Sequence, residues 1–139
     1  MRAILAIDLG GTRLRAGIAD SANPAGVTAV GEWPAPQARE DFLAQLRQLL
    51  IAHGATHLGI GIPGLAQGTT CRWVPNLSYL DGLDLADALP GISIGLGNDA
   101  QLALLAEAKA GAANGLSDAI LLAIGTGIGS AVLAGGRIV

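Results

Sequence analysis

Residues 6–19 read AIDLGGTRLRAGIA and residues 122–135 read LAIGTGIGSAVLAG. Each stretch is an apolar strand, a Gly/Thr turn and a second strand, and together they decide the fold. Around the first copy, residues 3–8 and 14–19 read as strands, and Asp20 to Gly26 is turn chemistry. Residues 27–33 read as a third strand, which the Pro34–Pro36 stretch ends. Connections this short between successive strands imply antiparallel pairing.

Further along, Phe42, Leu43, Leu46, Leu49 and Leu50 recur at helical spacing over residues 38–53, and Gly54 suits the position after the last turn. Residues 57–62 read as a buried strand stopped by Pro63-Gly64. Residues 65–82 look irregular, with a possible hairpin at Gln67-Gly68, and a short helix follows over 83–89. A strand over 92–96 leads to a helix over 99–114 that Asn98 can cap, and strands 119–124 and 129–134 close the chain. Three antiparallel strands followed by β-α-β crossovers make an α/β protein with a mixed sheet covered by helices. The second copy of the opening pattern stops two strands in. Residues 1–117 are therefore expected to be one lobe and residues 118–139 the first hairpin of a second. A two-stranded ribbon is marginal alone, so this one needs a partner or must fold back.

Composition narrows the function classes. The chain has 139 residues, 51% hydrophobic and 14% charged, which suits one compact domain and excludes disorder. No run approaches the ~18 uncharged apolar residues of a membrane helix, and Asp8 interrupts the apolar start, which makes a poor signal peptide. The net charge of −3, with no cluster among the seven Arg and one Lys, offers no nucleic-acid surface. A single cysteine, Cys71, allows no internal disulfide, so the cytoplasm is the default compartment. With His53, His57 and Cys71 as the only soft ligands, no zinc site is expected.

The 21 glycines concentrate where chemistry is plausible. In Asp8-Leu9-Gly10-Gly11-Thr12 the glycine pair lets backbone N–H groups approach a phosphate, Thr12 can add a hydroxyl, and Asp8 can hold Mg²⁺ through water. An Asp after a run of apolar residues needs a partner for its charge. The competing reading is an ordinary hairpin with a capping Asp. Gly125-Thr126-Gly127-Ile128-Gly129 repeats the pattern, and two such turns could grip a polyphosphate from opposite sides. Gly97-Asn98-Asp99 stands at a strand end and helix start, where Asn and Asp are favoured caps. Functionally, Asp99 could act as a general base. GIGIPG at 59–64 and GLGNDA at 95–100 fit the dinucleotide fingerprint by letter, but the first lies inside a strand and the second lacks an acidic residue at the right strand end. There is no P-loop. His53 and His57 read as surface or strand-end residues, and Cys71 as packing.

Taken together, AIDLGGTRLRAGIAD, GIGIPGLAQG, VPNLSYLDGLDLADAL, GNDAQLALLAEAKAGA and AIGTGIGSAVLAGGRI resemble the ROK family of repressors and sugar kinases in order and spacing across the chain. The resemblance implies an actin-like, ribonuclease-H-like ATPase fold with helices on both faces of the sheet. It also implies phosphorylation of a hexose, of the glucose or N-acetylglucosamine type, by ATP with Mg²⁺. By position, Asp8, Gly10, Gly11 and Thr12 match the first phosphate motif, and Gly125, Thr126, Gly127 and Gly129 the second. Asp99 matches the catalytic base and Asn98 its sugar-binding neighbour, while Gly64 and Asn76 fall where the sugar pocket is lined. The family's Cys-rich segment, its later Glu and His sugar contacts and its adenosine-binding region find no counterpart here, and Gly97 stands where many members carry Glu. A partial or inactive kinase, completed by self-association or by a missing C-terminal lobe, is thus one expectation. A non-catalytic sugar-binding or regulator-like module is the other.

Overall fold

The structure, a computed structural model, describes residues 2–125 and 127–139. It divides into two compact units, residues 1–97 and residues 98–139.

In the first unit the chain runs β1 (Ala3–Leu9), β2 (Arg13–Asp20), β3 (Asn23–Pro34), α1 (Arg39–Ala52), β4 (His57–Ile62), β5 (Leu65–Gln67) and β6 (Thr70–Trp73). A single 3-10 turn (Ser78–Leu80), the short α2 (Leu85–Ala88) and β7 (Ser93–Asn98) follow. The sheet order is β3-β2-β1-β4-β7, with β1–β2 and β2–β3 antiparallel and β1–β4 parallel, which is the mixed sheet expected. Alternation along the strands sends Leu5, Ile7 and Leu9 of β1, Leu14 and Ala16 of β2 and Leu58, Ile60 and Ile62 of β4 into one core. Phe42, Leu46, Leu49 and Leu50, the apolar stripe of α1, join the same core. Glu40 and Asp41 in the first turn of α1 complement its dipole, and Gly54 takes the left-handed conformation just past its end (φ +59°).

The hairpin expected at Gln67-Gly68 is present, and one element differs from the sequence expectation. β3 begins at Asn23, so residues read as a turn belong to a strand. β3 is the sheet edge, where Pro24 costs no ladder hydrogen bond. The 65–82 region is ordered by the β5–β6 hairpin around Gly68 (φ +59°), pinned to the core by Cys71, Val74, Leu77 and Leu80.

Cys71 is fully buried, which is the packing role expected of it. Burial pushes its thiol up from an ordinary 9.0 to about 11. The Tyr79 hydroxyl, which donates to the Pro36 carbonyl at 2.7 Å, is pushed from 10.0 to about 12, first by burial and then by Cys71 and Asp41. Both groups are acids whose neutral form the fold favours. Their contribution to stability is complete below about pH 9, where the unfolded thiol is still protonated, and is lost as pH rises towards about 12. The thermal midpoint is expected to fall across this alkaline window, and Cys71→Ala to flatten the part between pH 9 and 11 in calorimetry.

The second unit is α3 (Asp99–Ala110) with β8 (Ala119–Ile124), β9 (Ile128–Ala134) and β10 (Arg137–Ile138), in sheet order β10-β9-β8. One face of the ribbon packs on α3 through Ala100, Leu104, Ala131 and Leu133. This packing makes Asn98–Val139 one compact unit. α3 ends at Ala110 and not at 114, because the Glu107 carboxylate turns back to accept from the Ala112 N–H at 2.7 Å. On the other face Ile120 pairs with Val132 and Ile124 with Ile128, and with Leu122 these side chains are 37–77% exposed. Among the described residues no helix is long and apolar enough to cross a membrane.

Candidate functional site

The β1–β2 turn closes by its own backbone: the Gly10 N–H donates to the Arg13 carbonyl at 2.8 Å. That donor is occupied, which leaves Gly11 and Thr12 to carry the phosphate reading of the turn. Neither Gly10 nor Gly11 has a left-handed φ. A Cβ on Gly10 would sit 3.5 Å from the Arg13 carbonyl oxygen, and one on Gly11 would sit 3.9 Å from Asn76 Cβ. Both are ordinary contacts, so neither conformation nor packing within the chain requires glycine at these two positions. Gly64 is the contrast. A Cβ there would collide with the Trp73 carbonyl and lie 2.9 Å from Val74 Cα, so the close approach of this segment to the end of β6 requires glycine.

Asp8 lies on the β1 face opposite Leu5, Ile7 and Leu9, exposed to solvent. The expectation that its charge sits in a buried strand is therefore corrected: alternation turns it outward. Its partner is Arg15, directly across the hairpin, at 2.5 Å. The hydrogen bond and charge of Asp8 raise the Arg15 guanidinium above its ordinary value. The pair borders a shallow hollow of about 360 Å³ with Ala6, Gly17, Val27 and Ala29. Among the described residues no three His, Cys, Asp or Glu side chains converge. This chemistry does not make a protein cage, but one exposed carboxylate fits a Mg²⁺ ion that keeps waters and takes its remaining ligands from phosphates.

Asn76 is exposed and, among the described residues, the only non-glycine with a left-handed backbone (φ 69°). Asn tolerates this conformation where most side chains do not. Replacing it separates backbone from side chain. Asn76→Gly is expected to keep the melting temperature, whereas Asn76→Ala is expected to lower it, with about 1 kcal/mol of strain. Thermal melts of the two variants check this.

In the second unit the Asn98 side-chain oxygen caps α3, accepting from Ala100 N at 3.1 Å and Gln101 N at 3.2 Å. The cap expected from the sequence is present. Asp99 is exposed, and its Oδ1 accepts from Ala100 N at 2.8 Å. The β8–β9 turn closes as the first one does, by a hydrogen bond from its leading glycine: Gly125 N–H to the Gly127 carbonyl, 2.9 Å. A Cβ on Gly129 would lie 3.8 Å from Ala100 Cβ, so this turn sits beside the helix start that carries Asp99. A Cβ on Gly125 or Gly127 would meet nothing within 4 Å. Thr126 lies outside the described residues.

The structure thus brings Gly11 together with Asn76, and Asp99 together with the second glycine turn. Sequence reasoning missed Arg15, although counting outward from the turn, Leu9 opposite Leu14, leads to it.

Three antiparallel strands, a fourth parallel to the first and a glycine turn after the first define this α/β molecule as an actin-like, ribonuclease-H-like ATPase fold. The chain belongs to the ROK family, whose model matches residues 4–139. It is 27% identical over 140 residues to a glucokinase of Streptomyces coelicolor, covering 96% of this chain and 44% of that protein. Among solved structures it resembles a candidate N-acetylmannosamine kinase from Listeria monocytogenes (TM-score 0.85, 27% identity, 99% of this chain and 49% of the other). It also resembles an inorganic polyphosphate/ATP-glucomannokinase from Arthrobacter sp. strain KM (TM-score 0.79, 27% identity, 100% and 61%). The chain spans less than half the length of the curated relative.

Proposed function

We propose that the chain is the catalytic-base-bearing portion of a hexose kinase, with residues 1–117 as the first lobe and 118–139 opening the second. The observation that carries this reading is the pair of glycines, Gly10 and Gly11, that nothing in the chain requires, with Gly11 beside Asn76. A glycine free of internal demands fits close approach by a ligand.

The chemistry is transfer of the γ-phosphoryl of ATP to a hydroxyl of glucose or N-acetylglucosamine. The sugar oxygen forms its bond to phosphorus, the bond to the ADP oxygen breaks, and Asp99 accepts the hydroxyl proton. Gly11, Thr12, Gly125, Thr126, Gly127 and Gly129 would line the phosphates, with Gly10 closing the first turn. Gly64, Asn76 and Asn98 would line the sugar, Asn98 being apt because an amide both donates to and accepts from hydroxyls. Mg²⁺ would be held at Asp8 through water, displacing Arg15, and when bound would offset phosphate charge. The polyphosphate/ATP-glucomannokinase supports ATP as donor. Because the chain spans less than half the length of the curated relative, turnover by these residues alone is expected to be weak. A second copy of the chain would complete it.

The contact of Asp99 with its own helix, to Ala100 N at 2.8 Å, favours a second reading in which sugar binds without transfer. Transfer of labelled γ-phosphate to glucose and N-acetylglucosamine, with calorimetry of each sugar and of ATP, tests both. Sugar heat without transfer selects the second reading, and absence of heat from sugar and ATP overturns both.

A further inference from the structure

The ribbon of the second unit has one covered face and one bare one. Ala131 and Leu133 of β9 are buried against α3, whereas Ser130 and Val132, which alternate with them, are exposed. Across β8 and β9 the bare face consists of three rungs in register: Ile120 opposite Val132, Leu122 opposite Ser130 and Ile124 opposite Ile128. The outer rungs are β-branched on both strands. The middle rung is uneven, because Leu122 stands out at 64% exposure beside the much smaller Ser130. The face is thus a knob next to a notch, framed by two bulky pairs. It also carries no charge: no Asp, Glu, Lys or Arg occurs from residue 119 to residue 136.

Those features choose among occupants. A lipid surface attracts Lys, Arg and interfacial Trp or Tyr, and residues 119–136 hold none of these. A charged partner finds nothing here to pair with. A second copy of the same face does fit. Half a turn about an axis parallel to the strands, midway between β8 and β9, lays each β8 over the partner's β9. Each Leu122 then enters the notch at the partner's Ser130, while the β-branched rungs stack on one another, and every contact is made twice. Large side chains set against small ones let two sheet faces interdigitate at about 10 Å. Identical faces without charge also meet with no repulsion between like groups. We propose that the bare β8–β9 face is a homodimer interface, closed by the reciprocal seating of Leu122 against the partner's Ser130. The proposal concerns the surface of the second unit and goes beyond the kinase reading, since it holds whether or not phosphoryl transfer occurs.

Sedimentation equilibrium of the full chain tests it. Wild type is expected to be a dimer at tens of micromolar. Leu122→Ser removes the knob and is expected to weaken association by about tenfold or more. Ser130→Leu fills the notch and is expected to weaken association as well, by overpacking, although it adds apolar surface. Leu122→Ser combined with Ser130→Leu exchanges knob and notch and is expected to recover most of the wild-type affinity. Ile51→Ser, at an apolar residue of α1 that is 82% exposed, is expected to change nothing. All these side chains face solvent in the single chain, so the far-ultraviolet dichroism of the variants should match wild type. If Leu122→Ser loses its dichroism, Ile124→Ser on an outer rung replaces it, with the same expected loss of association. A wild type that stays monomeric at hundreds of micromolar overturns the proposal. So does tighter association in Ser130→Leu, or a double variant no better than either single one, because general stickiness and not a fitted face would then be at work. Growth beyond the dimer also overturns it, since an open strand edge and not a closed face would be pairing.

Discussion

Asp99→Asn is expected to lower phosphoryl transfer by about 10²–10⁴ while leaving hexose affinity within about twofold. Asn matches Asp in size and keeps the oxygen that accepts from Ala100 N, so the start of α3 and its Asn98 cap should survive. On the proposed assignment, what disappears is the acceptor for the hydroxyl proton. In a loose transition state that proton moves late, and much of the carboxylate's value lies in positioning the hydroxyl. Because the wild-type rate is itself expected to be weak, the ratio of the two rates is the quantity to measure, with binding measured on the same samples. A variant that transfers as fast as wild type removes Asp99 from the role. A variant that loses both transfer and binding assigns it to sugar recognition.

Gly11→Ala is expected to separate stability from function. The added methyl meets only Asn76 Cβ at 3.9 Å, in a conformation open to alanine. The unfolded chain loses freedom, so stability should hold or rise by about 0.4–1 kcal/mol. If Gly11 is where a phosphate approaches the backbone, the same methyl should weaken ATP binding by about tenfold or more. Gly64→Ala supplies the opposite pattern. Its methyl collides with the Trp73 backbone, which should cost about 1–3 kcal/mol. Chemical denaturation and ATP titration of the two variants distinguish them; unchanged ATP affinity in Gly11→Ala would remove the first turn from phosphate binding.

Much of the sheet was legible because its signals are local. The runs at β1, β2 and β4 and the stripe of α1 are set by side-chain period, and Gly54 and Asn98 are caps whose chemistry is written in single residues. What was not legible depends on neighbours far along the chain. Pro24 reads as a turn until β3 is known to be an edge. The end of α3 depends on a Glu107 side chain folding back over Gly111, which helix periodicity does not report. For the candidate site, the motif residues could be named from sequence, and Asp8 was expected to need a partner. That the partner is Arg15, and that Asp8 faces water, follows from strand alternation and register together. The exposure of Leu65 and Trp73, paired across β5 and β6, was hidden because the hairpin is short and its register shifts next to Leu65, so no alternation announces which side chains it exposes.

The solitary thiol at position 71 turns the first unit into its own stopwatch. It is shut inside the core, and the second unit contains no sulfur that would react alongside it. The speed at which a disulfide reagent labels the native chain therefore counts openings of residues 1–97 alone. Followed with and without nucleotide or sugar, that speed states which ligand stabilises this unit and not the other.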